Sequence, residues 1–378
     1  MTLLPSARSE LLDEVRALTR DQLTPLADRA PDGRVSPEVV AALAEHGILP
    51  RLFPTEHGGS ADGPPSATEL CVLREAMAAE SPLVETTFAV QGLGSFPILQ
   101  AGQPDQIARW IPAVARGEVV AGFALSEPDA GSDAAALTLA AESDGDGWRL
   151  TGTKTWISHA PDADVYTVFA RTTPDAGARG VSAFVVPGDS DGLTGEPIDL
   201  IAPHALGMLT FDGVRVDPDQ LLGERDAGFR VAMGTLDRFR PSVGAAAVGL
   251  AQRALDAALA HADERRAFGG PLRELQAVAH RLADAATQLD AARLLVYEAA
   301  ATLDAGGRAT RQAAMAKLFA TEAAQCIVDD AVQLHGAAGL VAGGVVAELY
   351  REVRSLRIYE GASEVQRTII ARELYRDG

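Results

Sequence analysis

The chain has 378 residues, 47% of them hydrophobic and 22% charged, and a formal net charge of −19 at pH 7. Such a composition predicts a packed globular protein, and the length predicts two or three domains. The negative charge argues against a general nucleic-acid surface or an anionic-membrane surface, because either polyanion would repel the protein.

Cysteine usage and the absence of targeting patterns indicate the compartment. Cys71 and Cys326 both stand in apolar helical patterns, which predicts buried thiols in a reducing environment and no disulfide framework. The amino-terminal stretch lacks the basic-then-apolar pattern of a secretion signal, and no apolar run approaches membrane-spanning length. We therefore expect a cytoplasmic protein.

The first part of the chain, residues 1–118, predicts helices joined by loops rich in Pro and Gly. Apolar and charged residues alternate at helical spacing in "SELLDEVRALTRDQLTPLADR" and "SPEVVAALAEHG". After the break at "FPTEHGGSADGPPS", Ser66 is a candidate N-cap for a helix through "ATELCVLREAMAAES". Nothing in this part requires a strand.

The middle part, residues 119–225, changes to the pattern of strands. "DVYTVFART", "GVSAFVVPG" and "LTFDGVRVD" are short, β-branched and aromatic, and are bounded by Gly, Asp and Pro. "GDGWRLTGTKTWIS" has the pattern of a hairpin, with "DGDG" as its approach turn. Because no helices separate these strands, an antiparallel sheet or barrel is favoured over a dinucleotide-binding α/β unit.

The last part, residues 226–378, is predicted to be helical again. One apolar stripe recurs at alternating steps of three and four, which is typical of a long bundle helix. Its members are Leu275, Val278, Leu282, Ala285, Leu289, Ala292, Val296 and Ala299. Two further long helical patterns flank it, and small residues dominate all of these faces. The predicted fold class is α+β: a helical domain, an antiparallel β domain and a four-helix bundle.

Several classes of chemistry find no support in the residues. The seven histidines never fall at the close spacing of a helical metal site, so no metal centre is expected. There is no phosphate-binding P-loop, no glycine-rich fingerprint after a strand and no nucleophile elbow. Metal hydrolases and nucleoside triphosphatases are therefore disfavoured.

Five motifs, taken together and in this order, resemble the acyl-CoA dehydrogenase family. They are "FALSEPDAGSD" (123–133), "GTKTWISHA" (152–160), "DERRAFGGPLRELQ" (263–276), "QLHGAAGL" (333–340) and "IYEGASEVQR" (358–367). The resemblance covers essentially the whole chain, and its three-part order matches the predicted domains. It implies an FAD-dependent oxidoreductase that dehydrogenates an acyl thioester of coenzyme A or acyl carrier protein. It also implies an electron-transfer flavoprotein or similar acceptor, and a homo-oligomer, most simply a tetramer.

The first two motifs suit a flavin. Backbone amides of "ALSEPDAGS" and the hydroxyl of Ser126 can reach a heteroaromatic edge, and strand alternation places Trp156 and Ser158 on one side. Taken alone, Trp156 would be a half-buried sheet residue. The cofactor-binding residues that the resemblance implies are Phe123, Leu125, Ser126, Gly131, Ser132, Trp156, Ile157, Ser158, Arg265, Phe268, Gln276, Gln333, Gly336, Ala362 and Glu364.

Within the third motif, Arg265 and Gln276 resemble positions that hold the FAD pyrophosphate and adenosine half across a subunit boundary. A guanidinium suits this role because its planar fork binds phosphate oxygens in pairs. Arg266 is interpreted as a solvated residue at a helix end. The resemblance also implies substrate contacts for Ser132, Asp237, Arg240 and Gly361.

Glu360 is the candidate catalytic base. Oxidation of an acyl thioester requires removal of a weakly acidic α-proton, which suits a carboxylate whose pKa burial has raised. Alone, Glu360 would more often be a residue at a helix start. Within the motif, the resemblance implies that its side chain is the base and that its backbone N–H, with a ribityl hydroxyl of FAD, polarises the carbonyl. Some families place the base where this chain has Phe239, which cannot serve.

Two departures from the family pattern concern FAD. Ala362 stands where the family has Thr, and Ala337 where it has a second glycine, so a hydroxyl contact and backbone room are lost. The stretch "IDLIAPHALGMLTFDG" is also shorter than its family counterpart. Two other functions stay open: a flavin oxidase or monooxygenase on the same scaffold, and a non-catalytic assembly protein. The apolar "FAVQGLGSFPI" segment favours an uncharged, short to medium acyl group.

Overall fold

The computed structural model of the chain describes residues 6–376, which form two compact units. The helical unit contains the described residues up to Thr24, the segment Ser66–Glu85 and the residues from Asp237 onward. The sheet unit contains Pro25–Pro65 and Thr86–Leu236. Each compact unit thus combines segments that are distant in sequence. The predicted domain boundaries at residues 118 and 225 describe the order along the chain and stay a prediction.

Helices account for the regular structure before residue 118, as the apolar periodicity predicts. A π-helical turn, Thr19–Leu23, follows the first of them. Ser66 caps the fourth helix as predicted, because its hydroxyl oxygen accepts a hydrogen bond from the backbone N–H of Glu69 at 3.2 Å. The helices are α1 Ser6–Leu18, α2 Thr24–Ala27, α3 Pro37–Glu45, α4 Ala67–Ala78, α5 Pro82–Ala101 and α6 Pro104–Ala115.

An eight-stranded sheet follows, in the order β6-β7-β3-β2-β4-β5-β8 with β1 beside β4. Its interior is lined by apolar residues such as Leu150, Val168, Phe184 and Phe211, all buried. The strands are β1 Ala121–Ala124, β2 Ala140–Asp144, β3 Gly147–Ser158, β4 Val165–Arg171, β5 Val181–Pro187, β6 Leu193–Pro197, β7 Leu206–Val216 and β8 Leu221–Leu222.

The sheet is mixed, which corrects the prediction of a purely antiparallel domain. β1 pairs with β4 in parallel, with Ala121 opposite Val165, and β2 meets β4 in parallel at one residue pair. The other pairings are antiparallel. A parallel pair needs a long connection, and here the hairpin of β2 and β3 lies within it. "GDGWRLTGTKTWIS" is accordingly one strand of that hairpin rather than a hairpin by itself.

Helices return after the sheet, so the predicted order of helical, sheet and helical parts is confirmed. The predicted stripe lies on α8, where Leu282, Ala285, Leu289, Ala292 and Val296 are buried. The elements are α7 Gly228–Glu264, a small hairpin of β9 Arg266–Ala267 and β10 Gly270–Pro271, α8 Gln276–Asp304, α9 Thr310–His335, α10 Val345–Val353 and α11 Ser363–Leu374.

Small residues on α7 allow close helix packing. A Cβ at Gly249 would lie 2.3 Å from the backbone oxygen of Glu75, so only glycine lets α7 approach α4 this closely. Contrary to the sequence expectation, α7 is long and apolar enough to cross a membrane by length and composition. However, 67% of that apolar window is buried inside the protein, as is usual for a core helix.

The two cysteines differ, which corrects the prediction that both are buried. Cys71 on α4 is buried, and this burial raises the pKa of its thiol. Cys326 on α9 is exposed. Its neighbours Ile327 and Val328 face the core, so position 326 falls on the outer side of an otherwise apolar helix.

A carboxylate from the end of α8 completes the start of α4. Asp304 accepts hydrogen bonds from the Ser66 hydroxyl at 2.7 Å, the Ala67 backbone N–H at 2.7 Å and the Thr68 backbone N–H at 2.9 Å. Burial alone would raise the pKa of Asp304, but the hydrogen bonds from Thr68, Ser66 and Ala67 hold that pKa below its ordinary value. Asp304 therefore fastens α8 to the start of α4 by accepting from the two N–H groups that the Ser66 cap does not reach.

We predict that Asp304→Ala lowers the free energy of unfolding by about 1–3 kcal/mol, because a charged, multiply bonded cap is lost. The wild-type advantage should persist at neutral pH and disappear as the pH falls through the lowered pKa of Asp304. Denaturant unfolding at several pH values measures it. Asp284→Ala, on the exposed face of α8, is the matched control, and equal destabilisation by both changes would contradict the assignment.

Candidate active site

Glu360 lies in a strained two-residue turn just before α11. Its φ is +50°, and the φ of Gly361 is +96°, so both residues occupy the left-handed region. Glutamate in this region costs free energy of order 1–3 kcal/mol that surrounding contacts must offset. A Cβ at Gly361 would lie 2.4 Å from the side-chain nitrogen of Gln366 and would displace it, and the φ of +96° itself favours glycine at this position. Such enforced strain is characteristic of a side chain held for a purpose.

Glu360 is partly buried, and one oxygen of its carboxylate is fully withdrawn from water. Its Oε2 atom is buried and has no hydrogen-bond partner in the described part of the chain. Burial raises the pKa of Glu360, while the positive charges of Arg74, Lys317 and Arg240 oppose the shift and Glu85 adds to it. The net direction is upward, towards the range in which a carboxylate is an effective base.

The three cations beside Glu360 are themselves fixed. Arg74 on α4 is buried, forms an ion pair with Glu85 and donates to the Ser242 hydroxyl at 2.8 Å. Arg240 on α7 is buried and donates to Asp237 at 2.5 Å. These pairs keep the guanidinium groups in place, so the positive field at Glu360 does not depend on mobile surface side chains.

Lys317 was not anticipated from the sequence. It lies on α9 among buried alanines, is fully buried, and donates from Nζ to the backbone oxygen of Gly361 at 2.8 Å. Arg74 was missed as well, whereas Arg240 was named only as a substrate contact, and its charge lowers the pKa of Glu360. The sequence feature that could have identified Lys317 is a lysine within an apolar helix face. A lysine in that position is buried and requires a specific partner.

The segment "FALSEPDAGSD" is anchored within the sheet unit by a second buried lysine. Lys154 on β3 donates to the backbone oxygen of Leu125 and to the Glu127 carboxylate, both at 2.9 Å. Glu127 also accepts from the backbone N–H groups of Thr138 and Leu139 at 2.6 and 2.8 Å. Burial lowers the pKa of Lys154 to about 8, against the opposing charge of Glu127. This network fixes the loop that carries Ser126.

Trp156 stands on an irregularity of β3. The pairing of β3 with β7 shifts between Lys154 and Ile157, and Trp156 has φ +59°. Its indole is 55% exposed, while Ile157 is buried and Ser158 is partly exposed. The backbone N–H of the preceding residue, Thr155, donates to the Ser126 oxygen at 3.0 Å. The bulge thus presents a large aromatic ring beside the anchored loop. The regular strand alternation used in the sequence analysis does not predict this bulge.

The remaining flavin candidates of the sheet unit vary in burial. Phe123 packs against Phe169 with ring centroids 5.0 Å apart, and Leu125 is buried. Gly131 and Ser132 are exposed in the loop after β1. The loop and the bulge are therefore brought together by direct hydrogen bonds, while the Ser132 side chain lies on the surface.

A separate group of candidates lies at one end of the helical bundle. The rings of His261 on α7 and His335 on α9 stack at 4.2 Å, which brings the ends of these helices together. Arg265 follows α7, and Phe268 at the tip of the β9-β10 hairpin is 94% exposed with φ +53°. All five predicted residues at this end are exposed: Arg265, Phe268, Gln276, Gln333 and Gly336.

Two further candidates follow the base at the start of α11. Ala362 occupies the N-cap position without a side-chain cap, and Glu364 is exposed in the first turn. A hydroxyl at position 362 could have capped the helix, so the alanine is a real local loss. Phe239 on α7 is buried and offers no carboxylate. Within residues 6–376, no group of three or more His, Cys, Asp or Glu side chains is arranged to hold a metal ion.

The sequence matches known proteins along nearly its whole length. Three family models match: the N-terminal domain of acyl-CoA dehydrogenase over residues 6–118, its middle domain over 122–214 and its C-terminal domain over 226–375. Cyclohexane-1-carbonyl-CoA dehydrogenase of Geobacter metallireducens is 36% identical over 373 residues, covering 97% of this chain and 96% of the relative.

Two solved structures show the same fold. A glutaryl-coenzyme A dehydrogenase in complex with glutaryl-CoA is 34% identical, covers 100% of this chain and 97% of its own, and has a TM-score of 0.92. PigA with FAD and proline is 25% identical, covers 100% of both chains and has a TM-score of 0.92. Because three family models and a full-length relative agree, the chain belongs to the acyl-CoA dehydrogenase family.

Proposed function

We propose that this flavoenzyme catalyses the α,β-dehydrogenation of an acyl-CoA thioester, with Glu360 as the base that removes the α-proton. The observation that carries the proposal is the state of Glu360: strained, buried at Oε2 without a hydrogen-bond partner, and raised in pKa beside three cations. A carboxylate in this state is a stronger base than one in water. If Glu360 had only a structural role, both of its carboxylate oxygens would be expected to accept hydrogen bonds.

The backbone of the same residue supplies a second function. The Glu360 N–H makes no hydrogen bond to another group in the described part of the chain. It is therefore available to donate to the thioester carbonyl, where negative charge develops as the α-proton leaves. The left-handed turn at Glu360 and Gly361 fixes the N–H and the carboxylate relative to each other. One residue would thus polarise the substrate and deprotonate it.

The residues present fit FAD. The exposed indole of Trp156 offers an aromatic wall, and the loop of Ser126 beside it is held rigid by Lys154 and Glu127. Bound FAD would supply the acceptor for the hydride that leaves the β-carbon of the acyl group. In the helical unit, Arg265 and Gln276 would hold the pyrophosphate and adenosine half of the cofactor of a neighbouring copy, with added contacts from Gln333 and Gly336, since all four are exposed at the bundle end.

We further propose a homotetramer and an electron-transfer flavoprotein as the acceptor. Exposed apolar side chains on the long helices, such as Leu259, Leu294, Met315 and Phe319, support association. An alternative function is a flavin oxidase or monooxygenase, which the structural neighbour PigA, solved with FAD and proline, keeps open. Anaerobic reduction of the flavin by an acyl-CoA, followed by slow reoxidation in air, would support the dehydrogenase. Fast reoxidation with hydrogen peroxide release would support the oxidase.

We predict that Glu360→Gln retains FAD and loses turnover by on the order of 10²–10⁴-fold or more, because the amide keeps the shape but cannot accept the proton. For the wild type, kcat/KM should rise with pH through a midpoint above the ordinary carboxylate value of 4.5, since burial raises the Glu360 pKa. Stopped-flow flavin reduction measures both effects. A flavin-replete Glu360→Gln protein with wild-type rates would refute the assignment.

Arg265→Ala should lower FAD occupancy far more than Arg266→Ala. The first arginine is proposed to bind phosphate in a closed interface, whereas the second is proposed to stay in water, where ion pairing contributes little. Flavin content of the two purified proteins, with light scattering for the oligomer, provides the comparison. Equal flavin content, or a flavin-loaded monomer, would be incompatible with a cofactor site shared between copies.

The acyl group is predicted to be uncharged, with about three to eight carbons. Helix α5 carries the apolar segment "FAVQGLGSFPI", and no arginine occurs between Arg74 and Arg109. Burial of an unpaired tail carboxylate would cost several kcal/mol. Butyryl-, octanoyl-, palmitoyl- and glutaryl-CoA are compared as reductants of the flavin at equal concentration. Fastest reaction with the glutaryl or palmitoyl thioester would disprove the selectivity without disproving the chemistry.

A further inference from the structure

The chain has only two lysines among its 33 basic residues, and both are fully buried. Lysine is among the residues least often found in this state, because its charge is strongly hydrated. One of them, Lys317, reaches from α9 to the turn that carries the proposed base. A fully buried ammonium group aimed at that turn calls for an explanation beyond packing.

The contact is made to the backbone of the strained turn. Lys317 Nζ donates to the Gly361 oxygen at 2.8 Å, and Gln366 Nε2 donates to the same oxygen at 2.8 Å and to the Glu360 oxygen at 3.3 Å. Lys317 and Gln366 are both fully buried. Two donors thus converge on one carbonyl of a turn whose φ angles are unfavourable, which stabilises the conformation that aims Glu360.

We propose that Lys317 is a positioning residue for the base: it anchors the turn through Gly361 and its charge sets the proton affinity of Glu360. The inference rests on the proposed function of Glu360. Lys317 differs from the other two cations near Glu360 because Arg74 is committed to Glu85 and Ser242, and Arg240 to Asp237. Lys317 alone of the three is hydrogen-bonded to the turn itself.

The electrostatics of both groups support the geometry. Glu360 is faced by Arg74, Lys317 and Arg240, which lower its pKa against the raising effects of burial and Glu85. Burial lowers the pKa of Lys317 to about 8, with Arg240 acting in the same direction and Glu360 and the acidic groups of α9 and α11 opposing it. Lys317 is therefore mainly charged at neutral pH. Removing that charge should raise the Glu360 pKa further.

The test uses Lys317→Met, which keeps length and removes the charge and the donor, in the FAD-loaded protein. We expect the acid limb of kcat/KM to move to higher pH by on the order of one unit, as when one close opposite charge is lost. An infrared titration of the carboxyl band that Glu360→Gln abolishes should move in the same direction. The infrared readout reports on the carboxyl group whether or not the enzyme turns over.

Further variants make the result decisive. Lys317→Gln can still donate a hydrogen bond, so it should shift the Glu360 titration while losing less kcat than Lys317→Met. If Lys317→Met does not fold, Lys317→Gln takes its place. Gln366→Leu removes the second donor without a charge, so it should lower kcat without the shift. Lys154→Met removes the other buried lysine and should leave the Glu360 band unmoved. A Glu360 titration unchanged by both Lys317 variants would overturn the proposal.

Failure of the proposed function would look different. If no acyl-CoA reduces the flavin, or if Glu360→Gln retains the wild-type rate, the assignment of the base fails. The infrared titration would still show whether Lys317 sets the proton affinity of Glu360. The two claims therefore stand or fall on separate measurements.

Discussion

The helical unit holds one carboxylate oxygen, Oε2 of Glu360, out of water and without a hydrogen-bond partner in the described part of the chain. Burial of an ionised carboxylate costs several kcal/mol unless opposite charges and hydrogen bonds compensate. At Glu360 the compensation comes from the charges of Arg74, Arg240 and Lys317 and not from hydrogen bonds to its Oε2 atom. The carboxylate is thereby allowed to ionise but remains short of partners, which is the condition in which it competes best for a proton.

A buried lysine likewise holds the candidate flavin-binding loop of the sheet unit. Lys154 is buried, reaches a main-chain oxygen and pairs with Glu127, which in turn takes two backbone N–H groups of the following segment. In both units an ammonium group fastens an irregular segment to a regular element, α9 in one and β3 in the other. Rigid support of this kind is what a reaction needs when the reacting groups must keep a fixed geometry.

Much of the fold could be predicted from periodicity, because the helices are amphipathic and the middle strands are short, apolar and bounded by turn residues. The α8 stripe and the Ser66 cap are confirmed. The parallel placement of β1 could not be read, since it depends on which strand of the sheet lies beside it. Cys326 was misjudged because an apolar helix with small residues does not reveal its outer face.

The candidate base Glu360 and the glycine after it were found through a motif, but their backbone conformation and electrostatic surroundings could not be predicted. The positive charges around Glu360 come from side chains 43 to 286 residues away in sequence, as Lys317 and Arg74 show. Spacing along one chain does not show which cation meets which carboxylate. The bulge at Trp156 is likewise a property of the pairing of two strands, visible only when both are placed.

The most direct test of Glu360 as the base is covalent capture by a 3-alkynoyl-CoA. Removal of its α-proton and protonation at the γ-carbon would give a 2,3-allenoyl thioester, whose β-carbon can be attacked by the adjacent carboxylate to form an ester. Peptide mass spectrometry of the FAD-loaded protein should then find the added mass on Glu360, and Glu360→Gln should stay unmodified. An adduct on a different residue, or no adduct in protein whose flavin is reduced by the saturated thioester, would contradict the account.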